Sequence, residues 1–150
     1  MELVVEKSKS RRGIHAIVRK VFIVSRDGRV VEVTGPRVGP AEKTYSRGEA
    51  YRVRVKPGKD ELVVYVVLVR GLRGRVKGYF EVYDGEGRLL YRAVYRKLKV
   101  RYSKGDPEYA WAVRLVAEKL RIPVKRYNLV PSWLRRGKLE EAGGVGEKGR

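Results

Sequence analysis

The stretch GYFEVYDGEGRLLYRAVYRKLKVRY, Gly78 to Tyr102, decides how the rest of the chain is read. Asp84-Gly85-Glu86-Gly87 separates two runs rich in aromatic and β-branched residues, which is a hairpin signal. The first run ends at Val82, and the second, Arg88 to Tyr102, reads as one long strand. A regular turn pairs Tyr83 with Arg88, Tyr79 with Arg92, Lys77 with Val94 and Arg75 with Arg96. Side chains alternate across a strand, so Phe80, Val82, Tyr91, Ala93 and Tyr95 share one face and read as core. Arg75, Lys77, Tyr79, Glu81, Tyr83, Arg92 and Arg96 share the other, a basic plane broken by aromatic rings. A one-residue slip at the turn inverts every one of these assignments.

After the hairpin, Asp106 serves as an N-cap, Pro107 opens a helix and Glu108 suits its dipole. Trp111, Ala112, Leu115, Val116 and Leu120 give this helix, 107–121, an apolar face, and it stops before Pro123. Before the hairpin, LVVYVVLV (62–69) is apolar on both faces and reads as a central, doubly covered strand. EAYRVRVK (49–56) alternates, with Tyr51, Val53 and Val55 on one side and Arg52, Arg54 and Lys56 on the other. Residues 14–24 fit both a helical and a strand pattern. The Asp27-Gly28 dipeptide and the RVVEV that follows favour strand, turn, strand. Residues 35–48, with Pro36, Gly39 and Pro40, read as a loop.

These readings give an α+β fold: an antiparallel sheet of about five strands built from hairpins, one face covered by the C-terminal helix. Closure into a small barrel stays open. Residues 1–136 form one domain, and 137–150 read as a flexible Gly-rich tail.

Of 150 residues, 36 are Lys or Arg against 17 Asp or Glu, a formal charge of +19. With 43% apolar residues the chain can still enclose a core. Cys is absent and His15 is the one histidine, which excludes disulfides, thiolate zinc sites and cysteine nucleophiles. Gln is absent too, and Asn128 is the single asparagine; with abundant charge this is a composition of high-temperature proteins, expected from an archaeon. No apolar stretch is long enough to span a bilayer and no signal-peptide core is present, so a cytoplasmic, nucleoid-associated protein is expected.

Chemistry is hard to build from what remains. Asp27 and Asp84 sit in Asp-Gly turns, Asp60 follows Pro57-Gly58, and Asp106 caps a helix. Glu81, the best-placed strand carboxylate, reads as a salt-bridge partner. GVGEKG (144–149) matches a dinucleotide fingerprint but lacks the strand before it and the helix after it. No catalytic residue, metal or cofactor is expected, and the chain reads as a non-enzyme.

Lys and Arg attract phosphates with counterion release, and tyrosine rings offer platforms on which unpaired bases stack. A duplex hides its base faces, so Tyr interleaved with Arg on a sheet points to a single strand. The expected contacts are Arg52, Arg54, Arg73, Arg75, Lys77, Tyr79, Tyr83, Arg92 and Arg96. An RNA-binding module, ribosome- or tRNA-associated, is the alternative. Behind it stand a metal-dependent nucleic-acid-processing enzyme using Glu81 or Glu32, and a duplex architectural protein. A membrane surface fits poorly, because the one helix carries the mixed charges Arg114, Glu118 and Lys119.

The segment GYFEVYDGEGRLLYRAVYRKLKVRY, followed by SKGDPEYAWAVRLVAEKLRIPVKRYNLVP, resembles the archaeal Thermo-DBP-type single-stranded-DNA-binding proteins. The match is one of pattern over about a third of the chain: a basic hairpin, an Asp-Pro-capped helix, then a short basic extension. The resemblance implies a four- or five-stranded antiparallel sheet backed by helices, a cleft for DNA bases and a homo-oligomer. It also implies base contacts from Tyr79, Tyr83 and Tyr91 and backbone contacts from Arg75, Lys77, Arg92 and Arg96. The chain departs from those proteins at its C-terminus, where residues 137–150 lack the heptads of a zipper-like dimerisation helix.

Overall fold

The computed structural model describes residues 1–7, 14–33, 49–71 and 73–134. Its strands are β1 (Glu2–Lys7), β2 (Ile14–Ser25), β3 (Val30–Glu32), β4 (Glu49–Arg54) and β5 (Glu61–Gly71), then β6 (Val76–Tyr83), β7 (Leu89–Arg96), β8 (Lys99–Gly105) and β9 (Arg126–Asn128). One helix, α1 (Ala110–Leu120), lies between β8 and β9 and is preceded by a 3-10 turn, Pro107–Tyr109. Seven strands form one open sheet in the order β3-β2-β5-β6-β7-β8-β9, while β1 and β4 pair separately. All contacts in the large sheet are antiparallel except β8 with β9. The α+β class is as expected, but the sheet has seven strands rather than about five.

Three strands, β1, β8 and β9, were not foreseen as separate elements. The run 88–102 is a hairpin, because Lys97 and Leu98 both take positive φ (52° and 62°) and reverse the chain between Arg96 and Lys99. Such turns normally carry Asn-Gly or Asp-Gly, so Lys-Leu left no signal. β9 is added through the α1 crossover, and it lies parallel to β8 as a β-α-β connection requires.

β5 is buried along most of its length and sits third in the sheet, as its two apolar faces demand. On one side Val64, Val66, Phe80, Tyr91, Ala93 and Tyr95 pack beneath Ala112, Val113 and Val116 of α1. On the other, Val21, Val63, Tyr65 and Val67 meet Val55, Met1 and Leu3. β4 is thus not a member of the main sheet; Met1, Leu3 and Val55, around the β1–β4 ladder, pack on the second face. Backbone bonds in both directions between Met1 and Val55 (2.7 and 2.9 Å) extend that ladder. Residues 14–25 are strand throughout, and Gly28, at φ 98°, closes the β2–β3 turn.

Asp106 caps the helical segment by accepting the Glu108 N–H at 2.9 Å. The C-terminus closes without glycine. Arg121 takes φ 57°, its N–H reaches the Glu118 carbonyl at 3.1 Å, and the Ile122 N–H reaches Ala117 at 3.4 Å. That is a Schellman arrangement, with an arginine where glycine is usual.

Candidate nucleic-acid interface

The β6–β7 hairpin pairs Tyr79 with Val94, Glu81 with Arg92 and Tyr83 with Leu89, after a shift beyond Val82. The expected pairing of Tyr79 with Arg92 is therefore displaced by two residues. An even displacement keeps the alternation, so the face assignments survive. Phe80, Val82, Tyr91, Ala93 and Tyr95 all lie in the core.

Tyr91 is for that reason no base contact. Its ring is wholly buried and its hydroxyl donates to the Leu129 carbonyl at 2.7 Å. Burial also raises its pKa well above the usual tyrosine range, so the phenol stays neutral. Its own alternation had placed it on the core face; the contact role came only from the resemblance.

The opposite face carries a connected polar cluster. The Arg92 guanidinium lies 4.7 Å over the Tyr79 ring, and its Nε is 3.6 Å from a Glu81 carboxylate oxygen. Its Nη1 donates to the Ser103 hydroxyl at 3.2 Å. Tyr83 donates to Glu81 at 2.9 Å, and Tyr79 meets Tyr65 edge-on at 6.4 Å. Burial, then the hydrogen bond to Glu81, holds the Tyr83 hydroxyl above its ordinary pKa. Glu81 is thus a structural partner of Arg92 and Tyr83. Tyr79 and Tyr83 are half-buried, not bare platforms.

The other expected cations separate into groups. Arg73, Arg75, Lys77 and Arg96 are exposed and lie at one end of the strands, on the β5–β6 and β7–β8 turns. Arg54 is 89% exposed, on the two-stranded ladder, with its Nε 3.4 Å from Glu2. The side chains of Arg52 and His15 lie outside the described residues, as do the segment 35–48 and the tail 137–150.

The end holding Arg73, Arg75, Lys77 and Arg96 holds more. Three chain segments reach it: 70–77 (RGLRGRVK), 96–101 (RKLKVR) and 121–126 (RIPVKR). The ladder brings them together, since Arg70 is opposite Val76, Gly78 opposite Tyr95, Arg96 opposite Lys99, and Lys99 opposite Arg126. Together they carry eleven cations and no acid. Among the described residues none of the eleven forms an ion pair. Seven of them, Arg70, Lys97, Lys99, Arg101, Arg121, Lys125 and Arg126, were not among the expected contacts. The signal for them was available as three acid-free runs, but their meeting depends on a turn and a crossover.

Carboxylates gather at the opposite end. Asp27, Asp60, Glu61, Asp84, Glu86, Asp106 and Glu108 all stand in or beside the turns there, several holding those turns together. Glu118, on the exposed side of the last turn of α1, is the nearest described carboxylate along the chain to the basic end. Among the described residues no three His, Cys, Asp or Glu side chains converge as a metal ion needs. No helix among them is long and apolar enough to cross a membrane. Comparison of the chain with protein-family models, with curated proteins and with solved structures finds no match in any of the three.

Proposed function

We propose that the chain is a sequence-tolerant single-stranded-DNA-binding protein whose phosphate-binding surface is the basic end of the sheet. The observation that supports this is the gathering of eleven cations without an acid on three chain segments, in a fold where most of the described carboxylates stand at the other end. Like charges so placed repel one another at a cost that a bound polyanion removes. Five strand ends from β5 to β9 span four inter-strand spacings, roughly 19 Å, a row suited to one backbone. Among the described residues nothing at this end projects as a groove-reading helix, because α1 packs on the sheet. The Tyr79–Arg92 pair, just beyond Lys77, supplies a ring and a guanidinium plane for an unpaired base. A protein acting this way resides on the nucleoid.

Fluorescence anisotropy with labelled single-stranded DNA, duplex DNA and single-stranded RNA of equal length tests the reading across a range of salt. The expected result is tightest binding to single-stranded DNA. Arg75→Glu and Arg96→Glu should each weaken it and flatten the salt slope by about 0.7 or more. Equal affinity for all three polymers that vanishes with salt would reduce the surface to non-specific charge, and preference for RNA would select the alternative. If reversal of Arg75 and Arg96 leaves affinity unchanged, the surface is misplaced.

A further inference from the structure

Beside the basic end, where α1 finishes over the sheet, a cleft of about 340 Å³ opens between helix and strands. That is near the lower bound of ordinary ligand pockets, roughly 300–1,000 Å³. Its walls are Val18, Leu68, Val76, Leu120, Ile122 and Pro123, and its rim carries Lys20, Arg70 and Arg121. The wall at Pro123 is held by the Tyr95 hydroxyl, which donates to the Pro123 carbonyl at 2.6 Å. The wall at Ile122 is held by the Schellman closure of α1.

The lining decides what fits. It is mainly aliphatic side chains, and the Tyr95 ring among them is buried, so no aromatic face is offered to a base. A nucleobase placed there would have no ring to stack on and would press its polar edges against aliphatic walls, which is costly. An aliphatic side chain loses nothing by entering. The rim selects the charge of what surrounds that side chain. Lys20 is engaged with Glu32 at 3.2 Å, whereas Arg70 and Arg121 form no ion pair among the described residues. The C-terminus of α1 contributes roughly half a negative charge, which two whole guanidinium charges outweigh.

We infer that this cleft docks an acidic peptide of a partner protein, one bulky aliphatic side chain seated between α1 and the sheet and its carboxylates on Arg70 and Arg121. Arg70 belongs to the basic end as well, so such a peptide competes with nucleic acid; that consequence alone rests on the function proposed above.

The test uses the full chain with methyl-labelled Val, Leu and Ile, titrated by NMR with a heptapeptide of six aspartates and one central leucine. The methyls of Val18, Leu68, Val76, Leu120 and Ile122 should shift together. Replacing the peptide's leucine by serine should weaken binding by about tenfold or more. Arg121→Gly, which keeps the helix closure because glycine tolerates φ 57°, should weaken it by about two- to fivefold. The inference is overturned if those methyls stay still, or if the serine peptide binds equally well. It is also overturned if deoxythymidine monophosphate moves them and the peptide does not. In a parallel assay the peptide should displace a labelled oligonucleotide. An oligonucleotide that never binds sinks the proposed function alone, while methyl shifts without displacement sink only the competition.

Discussion

Tyr79 and Tyr91 stand on neighbouring strands, each with a basic residue within two positions, yet they face opposite sides of the sheet. Tyr91 anchors β7 to the segment after β9 through its hydroxyl. Tyr91→Phe should lower stability by about 1 kcal/mol in urea denaturation and leave oligonucleotide affinity unchanged. Tyr79→Ala should weaken single-strand binding by about 1 kcal/mol or more, since it removes the ring under Arg92; equal loss with duplex would refute a stacking role. Asp84 shows how a turn residue carries pH dependence. Desolvation works to raise its pKa, but the Arg88 N–H and guanidinium and the Glu86 N–H outweigh that and hold it below the ordinary 3.8. A carboxylate depressed in the folded state adds stability above its unfolded value and loses it as pH falls through the folded one. Melting temperature should therefore fall as pH drops below about 4, and less steeply in Asp84→Ala, whose stability at neutral pH is already lower.

At the level of elements, the β7–β8 turn and the β5–β6 ladder make contrasting demands. Lys97 and Leu98 hold left-handed backbone at a cost of about 1–2 kcal/mol each, offset by the ladder they permit. Leu98→Gly relieves one of these and should raise stability by about 1 kcal/mol in thermal unfolding, with no loss of DNA affinity because every charge remains. Gly78 is the reverse case. A Cβ there would sit 1.8 Å from the Val67 carbonyl oxygen, so Gly78→Ala must separate β5 from β6. About 3 kcal/mol or more should be lost, readable as a lower denaturant midpoint. These turns also mark where reading by pattern stops. Asp27-Gly28 and Asp84 to Gly87 announced their hairpins through residue type, and Asp106-Pro107 announced the helix. Lys97-Leu98 and Arg121 adopt glycine-like backbone because tertiary contacts stabilise it, and no local pattern encodes that.

For the whole molecule, charge is segregated along the strand axis, with the acid-free turns at one end and most of the described carboxylates at the other. Repulsion among the eleven cations should be relieved by screening. The melting temperature should accordingly rise between low and moderate salt, and rise further with a polyanion such as heparin. A melting temperature that falls with salt would mean that ion pairs dominate.

What the sequence determined by itself were the local quantities: the core faces of β5, β6 and β7, the capped helix, the two marked turns and the excess of positive charge. Alternation, capping and turn chemistry act between residues near in the chain, so they can be read from it. Only the tertiary structure decided that β4 leaves the main sheet to pair with β1, and that seven strands are joined. It alone brought Arg70, Arg96 and Arg126 to one end, because an unmarked turn and a helical crossover set which distant segments become neighbours.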